Sequence, residues 1–231
     1  MHKMVEITER EEGAQVGMKC PLCSQLVSHQ MRDLTNSELY HCRNCELIFK
    51  NPKVHPSQSE EAERYLEHNN DESSKGYVDF LNKAVKPTRN FMEPGMEGLD
   101  YGCGPNPVLS QIITEAGFTC ANYDPIFFPE LPDERMDFIF ATECFEHFFD
   151  SIKEMRLITA LLRPGGILTI MTNRWRELDK VADWWYVRDK THVVFYHQKS
   201  FEYICKTFGY SVLFDDGESV LVLQKDVVAN R

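Results

Sequence analysis

From residue 97 onward, short apolar runs alternate with stretches of helical spacing, the pattern of a mainly parallel sheet covered by helices. The pattern predicts strands at 98–101, 119–123, 136–141 and 167–172, and helices at 107–116, 151–162 and 199–207. Two further strands, 210–214 and 219–224, flank Asp215-Asp216-Gly217-Glu218, a link that suits an antiparallel hairpin. Upstream, Tyr77, Phe80, Leu81, Ala84 and Val85 have helical spacing, and that helix is expected to end before Pro87. Residues 57–69 read as a short acidic helix with Ala62, Tyr65 and Leu66 as its apolar positions. Between 20 and 52 the apolar runs, such as Leu47-Ile48-Phe49, predict strands too small to build a core, so something else must hold that region. The division is a polar tail at 1–17, a small lobe at 18–55, a helical linker or lid at 56–92 and the main domain at 93–231.

Composition narrows the class. The 231 residues carry 36 acidic against 25 basic side chains, a formal charge of -11, with 42% apolar content. That suffices for one ordinary domain with a small satellite. The acid excess argues against a cation-coated nucleic-acid binder. No run of 18 apolar residues occurs, and residues 1–12 lack the apolar stretch of a signal peptide, so the expectation is a cytoplasmic chain with no membrane partner.

Four of the eight cysteines form Cys20-Pro21-Leu22-Cys23 and Cys42-Arg43-Asn44-Cys45, two CxxC pairs 18 residues apart. This spacing fits a four-thiolate zinc site, each pair turning two sulfurs toward one ion. Four thiolates leave no open position, so the metal is expected to be structural. Ser24 and Glu46 stand where zinc knuckles often carry glycine. His29 and His41 are spare ligand candidates, better explained as exposed or packing residues. Cys103, Cys120, Cys144 and Cys205 are scattered; Cys120 and Cys205 read as packing residues, Cys103 and Cys144 as neighbours of a ligand.

Leu99-Asp100-Tyr101-Gly102-Cys103-Gly104-Pro105 follows an apolar strand and precedes a helix, as a nucleotide-binding turn must. Asp124 ends the next strand, where a carboxylate can accept ribose hydroxyls. The turn lacks the full GxGxxG of a dinucleotide site, and Asp100 would repel phosphate while suiting a cationic amine.

With these motifs, Asp137-Phe-Ile-Phe-Ala-Thr-Glu-Cys-Phe-Glu146-His147 after the fourth strand, and Leu162-Arg-Pro-Gly-Gly-Ile-Leu at the fifth, the chain resembles class I S-adenosylmethionine-dependent methyltransferases of the compact bacterial type (methyltransferase 12/23-like) with an N-terminal CxxC/CxxC zinc ribbon. The resemblance implies an α/β fold: a doubly wound Rossmann-like sheet with a C-terminal antiparallel hairpin, plus the small zinc-ribbon lobe. It implies S-adenosylmethionine as methyl donor, held by Asp100, Tyr101, Gly102, Cys103, Gly104, Asp124, Pro125, Thr142, Glu143 and Tyr77. Two departures stand out. Asn106 occupies the place of the third glycine, and between Asp124 and Asp137 there is too little chain for the usual helix and third strand, leaving a vestige around 127–131 and a sheet one strand short of seven.

Methyl transfer from a sulfonium needs donor and acceptor held in line, and a base only if the acceptor must lose a proton. His147 is the leading base candidate, with Glu146 and His192 as catalytic partners; the competing reading has Glu146 and His147 capping or packing the next helix. The run from Trp184 to His197 holds Arg188, Asp189 and Tyr196 as acceptor-binding candidates, although an aromatic core patch explains it equally well; similar methyltransferases carry an Arg-Asp-Pro-Thr-His run here. Tyr65 and His68 complete the acceptor set. The favoured function is methyl transfer to a small molecule such as a sugar or secondary metabolite. Alternatives are an RNA or protein methyltransferase that uses the ribbon for recognition, and a non-catalytic interaction protein with the same fold. Six basic against seven acidic residues in 1–50 oppose the first, and intact Gly102, Gly104 and Asp124 the second.

Overall fold

The computed structural model describes residues 17–28, 30–33, 38–67 and 75–227. The described residues begin with β1 (Met18–Lys19) and β2 (Leu26–Val27), a small hairpin, then β3 (Gln30–Arg32), β4 (Glu38–Cys42) and β5 (Leu47–Lys50). Two helices follow, α1 (Gln58–Glu67) and α2 (Lys75–Thr88), and then β6 (Glu97–Tyr101), α3 (Val108–Glu115) and β7 (Thr119–Tyr123). The remainder runs β8 (Met136–Thr142), α4 (Ser151–Leu161), β9 (Leu162–Met171), β10 (Val194–Phe195), α5 (Gln198–Phe208), β11 (Tyr210–Asp215) and β12 (Val220–Lys225).

The main sheet has six strands in the order β11-β12-β9-β8-β6-β7. β7, β6, β8 and β9 are parallel, and β12 pairs antiparallel with both β9 and β11. The period-2 alternation of β8 shows why both faces are covered. Phe138 and Phe140 share a buried cluster with Leu81, Ala84 and Val85 of α2 and Leu109 and Ile113 of α3. Ile139 and Ala141 instead join Met155 and Ile158 of α4 and Phe201 and Ile204 of α5. Because β6 leads to β7 on one side and has β8 on the other, strand order reverses between β6 and β8, and the crevice at their carboxyl ends is where such sheets take ligands.

The expected six-stranded sheet is present, and the interval after β7 is reduced to one antiparallel bridge between Asp124 and Phe128, within the vestige expected around 127–131. Two boundaries differ from the sequence reading. α2 continues through Pro87 to Thr88, because proline at a helix end forfeits one amide bond and its fixed φ is already helical. Thr88 Oγ1 bonds to Ala84 O at 2.7 Å and pairs with Thr169 Oγ1 at 2.8 Å, tying that last turn to β9. β9 begins at Leu162, ahead of the predicted 167, since Leu162 pairs with Met136 across a register shift.

The short N-terminal strands solve their lack of a core by sharing one. β5 pairs with β4 on one edge and on the other with β10, which arrives from the far end of the chain. Cys20, Leu22, Val27, Leu47 and Phe49 lie in the same buried cluster as Met155, Ile158 and Phe201. Pro21 O accepts the amide of Ile152 at 2.9 Å, satisfying one of the open donors at the start of α4. Ser24 and Glu46 both take left-handed backbone, φ 63° and 55°, so the knuckle geometry is kept at non-glycine residues. Among the described residues no helix is long and apolar enough to cross a membrane.

Gly98 marks a point where packing leaves no slack. A Cβ there would lie 2.0 Å from Phe138 Cε2, whose ring covers the glycine from the neighbouring strand. Gly98→Ala is expected to lower stability by about 1–3 kcal/mol, read as a reduced urea midpoint at unchanged m-value. An unchanged midpoint would show that the ring can move aside freely.

Candidate functional site

A cleft of about 490 Å³ opens at the carboxyl ends of β6 and β8, within the size range of small-molecule sites. Its floor is the turn after β6. Gly102 and Gly104 have φ of 78° and 64°, and a Cβ on Gly102 would stand 2.6 Å from Cys144 Cβ, so the close approach of the two loops requires glycine there. The amides of Gly102 and Cys103 both donate to Tyr123 O, at 2.8 and 3.1 Å. Asp124 is buried and organises the wall: Oδ2 accepts from Gly104 N at 3.1 Å, while Oδ1 accepts from Ile126 N at 2.8 Å and Phe127 N at 3.1 Å.

Nine of the ten residues assigned to the donor from sequence line this cleft: Tyr77, Tyr101, Gly102, Cys103, Gly104, Asp124, Pro125, Thr142 and Glu143. The tenth, Asp100, lies buried and does not line it. Burial pushes Asp100 from its ordinary 3.8 to about 7; the Ser110 backbone bond opposes the rise and the Asp124 charge adds to it. Glu143 has φ 50°, is raised by burial and by the nearby Glu146 charge, and its buried Oε1 has no hydrogen-bond partner among the described residues. Glu61 of α1 also lines the cleft and is raised to about 7 by burial and by Asp124. With Asp150 and Glu154, the described residues of the lining include five acidic side chains and, as fixed cation, Lys153.

At the other end stands His147, carried on a short 3-10 turn, Phe145–His147, directly after β8. Its ring meets Tyr65 edge-on at 5.4 Å and His192 at 4.9 Å. Tyr65, held over the cleft by α1, also meets Phe127 at 6.4 Å, and burial raises its hydroxyl. Nδ1 of His147 bonds to Thr191 O at 2.9 Å, and Nδ1 of His192 to Tyr186 O at 2.9 Å. Burial lowers His192 to about 4. Glu146 is fully buried, with Oε2 accepting from Thr172 Oγ1 at 2.7 Å. The structure thus brings Glu146, His147 and His192 together, their nearest ligand atoms all within 4.8 Å of one another.

The acceptor candidates separate. Asp189 lies outside the cleft lining and accepts from Arg64 Nη2 at 2.9 Å, Thr191 N at 3.0 Å and Thr191 Oγ1 at 2.7 Å. Burial pulls its pKa upward, but these bonds hold it well below the usual carboxylate range. Arg188 is exposed and donates to Asp183 O at 2.9 Å. Tyr196 is wholly buried in the core, its hydroxyl on Ser151 Oγ at 3.0 Å, so the aromatic run serves packing at that position. His68 and His29 lie outside the described residues. Sequence reasoning missed Glu61, Phe148 and Phe149 as lining residues; the last two follow His147 directly, which was the available signal.

In the N-terminal lobe, Cys20 and Cys45 sulfurs lie 3.6 Å apart and Cys23 and Cys42 sulfurs 3.4 Å apart. All four fall within 4.8 Å of one another. A tetrahedron with metal–sulfur bonds of about 2.3 Å has sulfur–sulfur edges of about 3.8 Å, so the quartet fits one ion with little movement. His41 instead packs, Nε2 on Glu46 Oε2 at 2.6 Å and its ring edge-on to Trp175.

Asp100 makes stability depend on pH. Its proton is held in the folded chain up to about 7 but in the unfolded chain only to about 3.8, so its contribution falls as pH rises between those values. Asp100→Asn, with no proton to lose, is expected to gain stability relative to wild type as pH rises through that window, measured by urea midpoints across it. Parallel pH profiles would refute this.

Among curated proteins none matches this chain. Similar solved structures include an O-methyltransferase family protein from Burkholderia thailandensis, 16% identical, covering 72% of this chain and 63% of that one at a TM-score of 0.48. Another is a SAM dependent methyltransferase from Archaeoglobus fulgidus, 13% identical, covering 63% of this chain and 93% of that one at 0.47. The family model described as a methyltransferase domain matches residues 65–213, from the end of α1 through the sheet into β11, and the chain belongs to that family.

Proposed function

We propose that this methyltransferase uses S-adenosylmethionine to methylate a small-molecule acceptor and carries a structural zinc ion on Cys20, Cys23, Cys42 and Cys45. The observation that carries the reading is the acid-lined cleft over the glycine turn. Five acidic side chains line it among the described residues; those that are ionised repel phosphate, and a sulfonium and an ammonium would draw Glu61 and Glu143, raised by burial, into their charged forms. The bound donor supplies an electrophilic methyl on a positive sulfur.

The chain's part is binding and alignment. Asp124 spends three acceptor positions on backbone amides and keeps lone-pair capacity for ribose hydroxyls. Pro125 and Ile126 wall the adenine. Glu143, whose buried oxygen has no partner among the described residues, and Asp100 favour the ammonium, and Tyr77, on which both acids act, closes that end. The acceptor enters at the His147 end under Tyr65, with α1 as the lid; His147 on the cleft wall faces its nucleophilic atom, and Glu146 and His192 stand behind His147. The acidic side chains of the lining, Glu61, Asp150 and Glu154 among them, disfavour a polyanionic acceptor such as RNA.

Calorimetry tests the donor. Wild type is expected to bind S-adenosylhomocysteine, and Asp124→Ala to lose about tenfold to a hundredfold in affinity, the worth of charged hydrogen bonds of about 1.5–3 kcal/mol. Absence of binding to wild type would sink the proposal. For the quartet, Cys42→Ser is expected to remove the thiolate-bound zinc and lower the thermal midpoint, read by metal analysis and scanning calorimetry. Full stability without that zinc would refute its structural role.

A further inference from the structure

The cluster at the acceptor end has a feature that packing does not explain. Glu146 has 0% exposure; its Oε2 is occupied by Thr172 Oγ1, but its Oε1 is buried without a hydrogen-bond partner among the described residues. His147 and His192 come from segments far apart in sequence, yet each directs Nδ1 to a backbone carbonyl, of Thr191 and Tyr186. A carbonyl only accepts, so each Nδ1 carries a ring proton, and in a neutral imidazole Nε2 then keeps its lone pair. The ligand atoms of the three lie within 4.8 Å of one another, so a carboxylate and two imidazoles gather around one space, with the hydroxyls of Thr172 and Tyr186 beside the carboxylate. A cation suits such a space.

We propose that Glu146, His147 and His192 hold a divalent transition-metal ion, separate from the thiolate quartet, with open coordination positions toward the cleft. Two imidazoles and a carboxylate suit zinc, iron(II) or manganese rather than magnesium or calcium, which prefer oxygen alone. The groups behind the ligands also fit. Ligating histidines usually donate their other ring N–H to a carbonyl or carboxylate, and a ligating carboxylate is itself hydrogen-bonded, as Thr191, Tyr186 and Thr172 provide here. His147 lines the cleft, so an oxygen or nitrogen of the acceptor would complete the coordination. That last step rests on the methyl-transfer reading; binding of the ion does not.

The experiment is a cobalt(II) titration of the full chain with its quartet loaded with zinc. The expected result is one further equivalent bound, with weak visible d–d absorption and no thiolate-to-metal charge-transfer band. Glu146→Gln and His192→Ala should each weaken cobalt binding at least about tenfold, with near-ultraviolet circular dichroism and thermal unfolding retained. His147→Ala, on the cleft wall rather than in the core, provides the same comparison if a buried substitution unfolds the chain. Cobalt uptake absent from zinc-loaded wild type, or unchanged in His147→Ala, would overturn the proposal. Failure of wild type to bind S-adenosylhomocysteine would remove the methyl-transfer reading while leaving the cobalt result to stand by itself.

Discussion

The two residues of β10 tie the molecule together, because their neighbourhood must satisfy backbone groups in three places at once. Val194 and Phe195 pair with Phe49 and Ile48 of β5, and the amide of Lys50 donates to Val193 O at 2.8 Å. Val193 N in turn donates to Glu146 O at 2.8 Å, and Trp175 N to Tyr196 O at 3.0 Å. Buried backbone donors and acceptors cannot be left open cheaply, so this segment can sit in one place only. Its placement joins the N-terminal strands to the loop after β8, and it carries Thr191 and His192 to the side of His147. Without β10 the small lobe would have an open edge at β5, and His147 would lose the Thr191 carbonyl that holds its Nδ1.

Electrostatics give the cleft its second character. Buried carboxylates are costly unless paired or protonated, and Asp100, Glu61 and Glu143 are all pushed upward by burial with few cations near them. A protein that keeps such an arrangement at its ligand-binding edge is suited to a cationic ligand, whose charge offsets what the fold leaves unpaired. Asp189 shows the contrast: bonded by Arg64 and Thr191, it is a structural carboxylate that fastens α1 to the loop ahead of β10.

Backbone strain follows the same map. Among the described residues three non-glycine residues have left-handed φ: Ser24 and Glu46 in the knuckles, and Glu143 at the turn leaving β8. Each costs on the order of 1–2 kcal/mol, which the surroundings must offset. In the knuckles, the geometry turns the sulfurs of each pair inward; at Glu143 it turns the chain out of the sheet above the cleft, with the amide held by Met171 O at 2.7 Å.

Much of this was legible in the sequence because it depends on local periodicity and spacing. The alternation in 136–141 placed β8, Gly102 and Gly104 needed freedom that only glycine has, Asp124 followed at the right interval, and the two CxxC pairs announced a quartet. Pro87 misled because a proline's effect depends on how much of the helix follows it, and Tyr196 misled because aromatic residues look alike whether they line a site or fill a core. Glu61 was invisible as a cleft residue, since nothing along the chain says which side of α1 faces the sheet. The sequence by itself determined the elements, the turn chemistry and the ligand types, all set within a few residues. Only the tertiary structure decided that the N-terminal strands share the main core, that β10 closes their sheet, and that His147, His192 and Glu146 meet, because those depend on where distant segments find partners for buried backbone groups and apolar surface.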